Sequence, residues 1–167
     1  METAAHTPHT FLFADLVGFT AFTERVGDEA AADVAVAFQT TTAHLAADYG
    51  CEVVKSLGDA VMVHGENAVQ VFALALRMRT ELAREGWCPP LRIGVHSGTA
   101  VRRGSDWYGS TVNVAARLAE EAAPGEVLLS LTTRDLLSAN PARAMADLGA
   151  RSFKNVREPV GVFAAAA

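Results

Sequence analysis

Residues 52–63, Glu-Val-Val-Lys-Ser-Leu-Gly-Asp-Ala-Val-Met-Val, contain the pattern that decides the fold. Two segments with β-branched residues, 52–55 and 60–63, flank the dipeptide Gly58-Asp59. Such segments on both sides of a short Gly-containing turn are typical of a β-hairpin. We therefore predict two neighbouring antiparallel strands with Asp59 in the turn between them.

Segments on either side of this hairpin alternate between strand and helix patterns. A buried strand at 10–14 comes before it and ends at Asp15, and a helix at 68–84 and an alternating strand at 91–97 come after it. The remaining predicted elements are a helix capped by Asp28 that ends at Tyr49, a helix at 111–122, a strand at 126–129, a short helix opened by a capping box at 132–135, and strands at 144–148 and 159–163.

This order predicts an α/β protein of the α+β sandwich type, with helices packed mainly on one face of a mixed sheet. A ferredoxin-like βαββαβ core with extra strands and helices fits the pattern, and so do other sandwiches of helices on a sheet.

Length, charge and cysteine content limit the classes of protein to consider. The 167 residues predict one domain, at 10–163, with an N-terminal tail at 1–9 and a C-terminal tail at 164–167. A net charge of -5 argues against a nucleic-acid partner, and no apolar stretch approaches the ~20 residues of a membrane-spanning helix. With only Cys51 and Cys88, we expect no disulfide framework and a reducing, cytoplasmic setting.

Asp15 and Asp59 are candidate metal ligands. If the first strand lies beside the hairpin, both carboxylates meet at one rim of the sheet, where they suit Mg²⁺ or Mn²⁺. Two such ions activate a hydroxyl and hold departing phosphates. The turn after Asp15, with Gly18, Phe19 and Thr20, offers backbone N–H groups to a triphosphate. Taken singly, either aspartate is equally well explained as a turn or helix-start residue.

Lys55 and Asp106 are a candidate pair for reading a base. An ammonium only donates hydrogen bonds and a carboxylate only accepts them, so the pair complements N1 and N6 of adenine and mismatches guanine. Asn113 and Arg117 are spaced to share one face of a helix, where the amide suits a ribose and the guanidinium suits charge developing on a phosphate. The alternatives are a solvated lysine, a turn aspartate and an ordinary polar stripe.

Together these motifs resemble the catalytic domain of class III nucleotidyl cyclases, of the adenylyl cyclase type. The similarity rests on four separated places along 10–163: the strand and Gly-Phe-Thr turn at 13–20, the Lys-x-x-Gly-Asp motif at 55–59, the strand at 92–98, and Asp106 standing seven residues before Asn113 in a Val-Asn-x-Ala-x-Arg motif. The short connection at 98–106 resembles the bacterial subgroup with reduced arms.

The resemblance implies a role for each matched residue. Asp15 and Asp59 would bind the two metal ions, Lys55 and Asp106 would select adenine, and Asn113 would position the ribose. Arg117 would stabilise the transition state. Lys154 is matched to a lysine that contacts the terminal phosphates, although the family often has Gly where Asn155 stands.

The resemblance also implies conversion of ATP to cyclic AMP and pyrophosphate in a head-to-tail homodimer. Each composite site would take the aspartates from one subunit and Lys55, Asp106, Asn113 and Arg117 from the other.

Other functions remain open at this stage. A guanylyl cyclase would be expected to have an acid near Lys55 and a small or neutral residue near Asp106. A catalytically weak, cyclase-like domain that binds ATP to regulate a partner should have lost a metal aspartate or the arginine. A diguanylate cyclase should show Gly-Gly-(Asp/Glu)-Glu-Phe in the hairpin, and that signature is absent. A plain interaction domain would explain none of the matches.

Overall fold

The computed structural model describes residues 6–137 and 144–167 as nine strands and five helices. In chain order these are β1 (His9–Leu16), α1 (Phe19–Val26), α2 (Asp28–Asp48), β2 (Glu52–Leu57), β3 (Ala60–Gly65), α3 (Ala68–Arg84), β4 (Leu91–Gly98), β5 (Val101–Arg103), β6 (Asp106–Tyr108), α4 (Ser110–Glu121), β7 (Val127–Ser130), α5 (Leu131–Leu136), β8 (Met145–Arg151) and β9 (Val160–Ala165).

The main sheet has seven strands in the order β2-β3-β1-β4-β7-β9-β8. Strand β1 is antiparallel to both β3 and β4, and the first four strands have the ferredoxin-like order that the βαββαβ pattern predicted. Only the β4–β7 pairing is parallel, so the sheet is mixed and mostly antiparallel. The predicted fold class is confirmed. A separate two-stranded sheet, β5–β6, forms the short hairpin before α4.

Alternation along β1 divides the two faces of the sheet. Leu12, Ala14 and Leu16 point into the main core, which α2 and α3 cover. The opposite side of the sheet is covered by α4, and we call it the α4 face. Its small buried cluster comprises Phe11, Met62, Trp107 and Ala115. Because Asp15 alternates in phase with Phe11, its side chain belongs to the α4 face.

Helix α4 lies close against β4 at Gly94. A Cβ atom at Gly94 would collide with the backbone nitrogen of Ala119 and would stand 2.5 Å from the carbonyl oxygen of Ala115. Only glycine permits this approach of helix to strand. The absence of a side chain therefore fixes the position of the helix that carries Asn113 and Arg117.

Three predicted details differ from the structure. β1 begins at His9, one residue before the predicted strand at 10–14, and β9 extends to Ala165, two residues past the predicted strand at 159–163. Residues 1–5 lie outside the described residues. The short helix α5 is capped by Ser130, whose hydroxyl accepts from the Thr133 N–H at 3.2 Å, and not by Thr132.

Within the described residues, no helix combines the length and apolar character that crossing a membrane requires.

Candidate functional site

Lys55 and Asp106 form a direct ion pair on the α4 face. Lys55 Nζ donates to Asp106 Oδ2 at 2.8 Å, and the side chains are 39% and 28% exposed. The hydrogen bond from Lys55 and a second one from the Trp107 N–H lower the pKa of Asp106. The carboxylate is therefore charged at neutral pH and acts only as an acceptor. Both side chains remain accessible enough to meet a ligand.

A β-bulge in β2 directs Lys55 to this face. Val53 lies opposite Val63, but the next paired residue is Lys55, opposite Met62, so that Val54 is the extra residue. In a regular strand Lys55 would point to the same side as Val53, into the main core. The bulge reverses that direction and places the ammonium beside Asp106.

Asp15 and Asp59 are neighbours at the end of the sheet where β1 finishes and the β2–β3 hairpin turns, as the hairpin pattern predicted. We call this end of the sheet the aspartate edge. Ala60, which follows Asp59, is the partner of Asp15 in the β1–β3 register. The N–H of Leu16 donates to the carbonyl of Asp59 at 3.0 Å, and this bond ties the end of β1 to the hairpin turn. The turn itself depends on Gly58, which adopts a left-handed conformation with φ of 66°.

Arg92 of β4 is a residue at this edge that the sequence prediction missed. Its Nε and Nη2 donate to the two carboxylate oxygens of Asp15 at 3.0 and 3.1 Å, a bidentate arrangement. The bond to Asp15 raises the pKa of Arg92, and the negative charge of Asp59 adds to the effect. The signal in the sequence was an arginine alternating with Gly94 on a strand that is otherwise mostly buried.

The turn between β1 and α1 presents the start of a helix at the same edge. Gly18 is the N-cap of α1 in a left-handed conformation, with φ of 66° and ψ of 29°. No side chain caps this helix, so the amides of Phe19 and Thr20 are not engaged by a capping group. Uncapped N–H groups at a helix start suit an anion.

Asn113 and Arg117 lie one turn apart on α4, as their spacing predicted. Asn113 is exposed, and Arg117 is 33% exposed with its Nη1 donating to Glu120 Oε2 at 2.7 Å. Glu120 also links the helix to the sheet, because its carbonyl accepts from Arg92 Nη1 at 3.3 Å. Arg117 therefore has a local acidic partner on the same helix.

Lys154 lies in the exposed loop between β8 and β9. Phe153 and Val156 anchor this loop against a cluster that includes residues of α4. Asn155 has a φ of 63°, a left-handed conformation that glycine and asparagine tolerate best. The backbone therefore explains why asparagine can stand where the family often has glycine.

The predicted site residues fall into two groups within one chain. Asp15 and Asp59 form the first, at the β1–hairpin edge, and Lys55 and Asp106 form the second. Asn113 and Arg117 lie on α4, where Arg117 contacts Glu120 and the Glu120 carbonyl accepts from Arg92, the partner of Asp15. Among the described residues, no hydrogen bond or ion pair joins an aspartate of the first group to a predicted residue of the second.

The carboxylates at the first group suit a divalent metal ion. Asp15 and Asp59 supply hard oxygen ligands, and the Asp15 carboxylate already has a cationic partner in Arg92. No cluster of three or more His, Cys, Asp or Glu side chains suited to a metal occurs in the described parts of the chain. A site with two carboxylates fits Mg²⁺ or Mn²⁺, which complete their shells with water and phosphate oxygens, and not a cage made entirely of protein ligands.

The sequence matches the family described as the adenylate and guanylate cyclase catalytic domain over residues 1–161. The chain therefore belongs to this family. It is 40% identical over 117 residues to an adenylate cyclase of Streptomyces coelicolor, covering 70% of this chain and 31% of that protein. It is 36% identical over 160 residues to a pH-sensitive adenylate cyclase of Mycobacterium tuberculosis, covering 92% of this chain and 39% of that protein. The chain thus spans about a third of the length of these relatives.

Solved cyclase structures share the fold. The adenylyl cyclase CyaB from P. aeruginosa superposes with a TM-score of 0.83 at 25% identity, covering 96% of this chain and 94% of that one. The guanylate cyclase domain of RhGC from Catenaria anguillulae, solved with GTP, also gives a TM-score of 0.83, at 21% identity, with coverage of 96% and 97%. Cyclases of both base specificities therefore have this architecture, and the fold does not decide between ATP and GTP.

Proposed function

We propose that this domain is an adenylyl cyclase that converts ATP to 3′,5′-cyclic AMP and pyrophosphate. In this reaction the ribose 3′-hydroxyl attacks the α-phosphorus and pyrophosphate leaves. The observation that carries the proposal is the 2.8 Å contact between Lys55 and Asp106, a donor beside an acceptor on one accessible face. The adenylate cyclases among its relatives support the same assignment.

The Lys55–Asp106 pair accounts for the choice of adenine over guanine. Lys55 donates to N1 and Asp106 accepts from the N6 amino group. Guanine has a donor at N1 and an acceptor at O6, so it would leave both protein groups facing a group of the same kind. Unsatisfied polar groups in a closed site cost about 1–3 kcal/mol each, enough for strong discrimination.

The residues around Asp15 and Asp59 bind the triphosphate and its metal ions. Asp15 and Asp59 hold the two divalent cations, Mg²⁺ or Mn²⁺. When bound, these ions lower the pKa of the attacking hydroxyl and neutralise charge on the phosphates. The amides after Gly18, at Phe19 and Thr20, bind phosphate oxygens at the start of α1. Arg92 orients Asp15 and adds a fixed positive charge at this edge.

Residues of α4 and the β8–β9 loop complete the site. The Asn113 amide orients the ribose. Arg117 exchanges its bond to Glu120 for one to the phosphate that gains charge in the transition state. Lys154 contacts the terminal phosphates from its exposed loop.

We propose that the complete site forms between two copies of the chain, arranged head to tail. The aspartates of one copy then face Lys55, Asp106, Asn113 and Arg117 of the other. The lack of direct contact between the two groups within the described chain supports this arrangement. Large apolar side chains left exposed near the second group also support a second copy as the partner. They are Leu57, Val101 and Tyr108. The cytoplasmic setting expected from the cysteines stays a prediction.

The test is product formation from ATP and from GTP, with Mg²⁺ and separately with Mn²⁺, at several protein concentrations. We expect cyclic AMP from ATP, specific activity that rises with protein concentration, and no product from an Asp59→Ala control. Cyclic GMP as the main product would favour a guanylyl cyclase. ATP binding without product under all conditions would favour the regulatory ATP-binding domain.

A further inference from the structure

A cluster of aromatic rings surrounds Trp107, the residue after Asp106. The ring of His64 stacks on Trp107 with centroids 4.3 Å apart, and the ring of His9 lies at 4.5 Å. Phe11 meets the indole edge-on at 5.6 Å, and Arg102 lies over it at 5.6 Å. We call these four residues around Trp107 the Trp107 clamp. It lies outside the group of residues that the cyclase motifs identify.

Trp107 is the anchor of the β5–β6 hairpin. Every residue of β5 is exposed, and in β6 only Trp107 is buried, at 7% exposure. Two strands of three residues each are too short to be stable alone. The hairpin that carries Asp106 therefore depends on the burial of this indole for its position.

The orientation of the Trp107 indole is set by packing against neighbouring rings and not by a hydrogen bond. The Nε1 atom of Trp107 is buried and has no hydrogen-bond partner among the described residues. The orientation of the ring consequently depends on the rings that contact it. The Trp107 backbone N–H, in turn, donates to Asp106 Oδ1 at 2.8 Å, so a shift of the Trp107 backbone moves a hydrogen-bond donor of the carboxylate.

His64 is itself held by hydrogen bonds on both sides. Its Nδ1 lies 3.1 Å from Glu52 Oε1, and its Nε2 lies 3.0 Å from Nδ1 of His9. The second contact requires one ring nitrogen with a proton and one without. If both rings are fully protonated, two N–H groups point at each other and the contact becomes repulsive.

The charged groups around His64 come from several elements. They are His9 of β1, Glu52 of β2, Glu66 after β3 and, through its contact with Glu52 at 3.6 Å, Arg102 of β5. Burial lowers the pKa of His64 and the charge of His9 lowers it further, while Glu52 and Glu66 oppose this change. The ring is thus neutral at neutral pH and the clamp is intact there.

We infer that His64 is a positioning residue for base recognition, which clamps Trp107 and so holds Asp106 opposite Lys55. The inference rests on the proposed role of Lys55 and Asp106 in selecting adenine. Protonation of His64 then releases the indole and loosens Asp106. Its effect should fall on the KM for ATP and on the preference for ATP over GTP, and much less on kcat.

Two substitutions at one position separate stacking from titration. His64→Phe keeps a flat ring against Trp107 but cannot be protonated, whereas His64→Ala removes the ring. Because the pKa of His64 is lowered from its ordinary value of 6.5, we expect the loss of ATP-over-GTP preference in the wild type to develop below pH 6.5 and to reach roughly tenfold or more between pH 7.5 and 4.5. His64→Phe should keep its preference across this range, and His64→Ala should show the reduced preference even at pH 7.5. Equal preference in all three proteins, or His64→Phe behaving like His64→Ala, would overturn the inference.

A fluorescence measurement tests the clamp without requiring turnover. The chain has two tryptophans, so Trp87→Phe leaves Trp107 as the only indole. Between pH 7.5 and 4.5, we expect the emission of this variant to shift to longer wavelength and acrylamide quenching to increase. Adding His64→Phe should abolish both changes. If the emission shifts with pH but the protein makes no cyclic AMP, the clamp is supported and the proposed function is rejected. Cyclic AMP formation without any shift would reject the clamp alone.

Discussion

Lys55 Nζ lies 2.8 Å from Asp106 Oδ2 although 51 residues separate them in the chain. The contact joins β2 of the main sheet to the β5–β6 hairpin. Its existence in one chain gives the base-reading proposal a geometric foundation, since a donor and an acceptor must be side by side to meet N1 and N6 of one purine.

Reversing the polarity of this pair should change the preferred base. In a Lys55→Glu/Asp106→Ser variant, an acceptor meets guanine N1 and a hydroxyl meets O6. We expect the ratio of kcat/KM for ATP over GTP to fall by about 100-fold or more, because mismatched groups in a site built for hydrogen bonds are costly. Arg84→Glu, an exposed charge change at the end of α3 and far in the chain from both residues, is the control and should leave the ratio unchanged. An unaltered ratio in the double variant would refute base reading by this pair.

Removing Arg92 should make the protein more responsive to divalent cations. Arg92→Gln leaves Asp15, 20% exposed, without its cationic partner, and we expect a loss of about 1–2 kcal/mol in the free energy of unfolding. Because Mn²⁺ no longer competes with a guanidinium for Asp15, the increase in Tm on adding Mn²⁺ should be larger than in the wild type. Arg77→Gln, which breaks an exposed pair with Glu81 on α3, is the control. Equal Mn²⁺ responses in both variants would contradict competition between Arg92 and Mn²⁺ for Asp15, and no response in either would contradict a metal site there.

A methyl group at Gly94 should displace α4. Gly94→Ala places a carbon against the helix backbone, and overpacking of this kind costs about 1–3 kcal/mol. Since the helix carries Asn113 and Arg117, kcat should fall together with the urea midpoint. Gly86→Ala is the control because a Cβ there meets nothing within 4 Å. A Gly94→Ala protein with normal stability and kcat would show that the close approach is not required.

Burial of His96 predicts a loss of stability in acid. Its Nδ1 lies 2.6 Å from Ser130 Oγ, and burial lowers its pKa to about 4 from the ordinary value of 6.5. Between pH 6.5 and 4, His96 is therefore protonated in the unfolded chain but not in the folded one. The free energy of unfolding falls as the pH drops through this range. The loss from this residue reaches about 3 kcal/mol.

Urea unfolding of wild type and His96→Gln at several pH values between 7 and 4.5 measures this contribution. The variant should show a shallower decline, while His44→Gln, at an exposed position of α2, should decline like the wild type. Parallel curves for wild type and His96→Gln would contradict the assignment.

Local patterns in the sequence were sufficient to predict most of the fold. The bounds of α3 match the periodic stretch 68–84, and the hairpin lies where Gly58-Asp59 indicated it. The cap of α5 was misplaced because Ser130 belongs by pattern to the preceding strand, and only the folded backbone brings its hydroxyl to the Thr133 N–H. The parallel pairing of β7 with β4 is likewise a tertiary feature that no local pattern specifies.

The candidate site was predictable to a smaller extent. The Lys55–Asp106 pair followed from hydrogen-bond chemistry, but the bulge at Val54 that directs Lys55 could not be read from a run of β-branched residues. Arg92 was missed because its role depends on the register that sets it opposite Asp15. The same holds for His64, since its contacts come from strands that are distant in the chain.

Mixing two inactive variants tests the composite adenylyl cyclase site most directly. Asp59→Ala removes a metal ligand and Arg117→Ala removes the transition-state cation, so each protein alone should make almost no cyclic AMP from ATP. In an equimolar mixture half of the dimers contain both chains and each has one intact site of two, so activity should return to about a quarter of the wild-type value. No cyclic AMP from the mixture, with both variants folded and dimeric, would contradict a site shared between two copies of this chain.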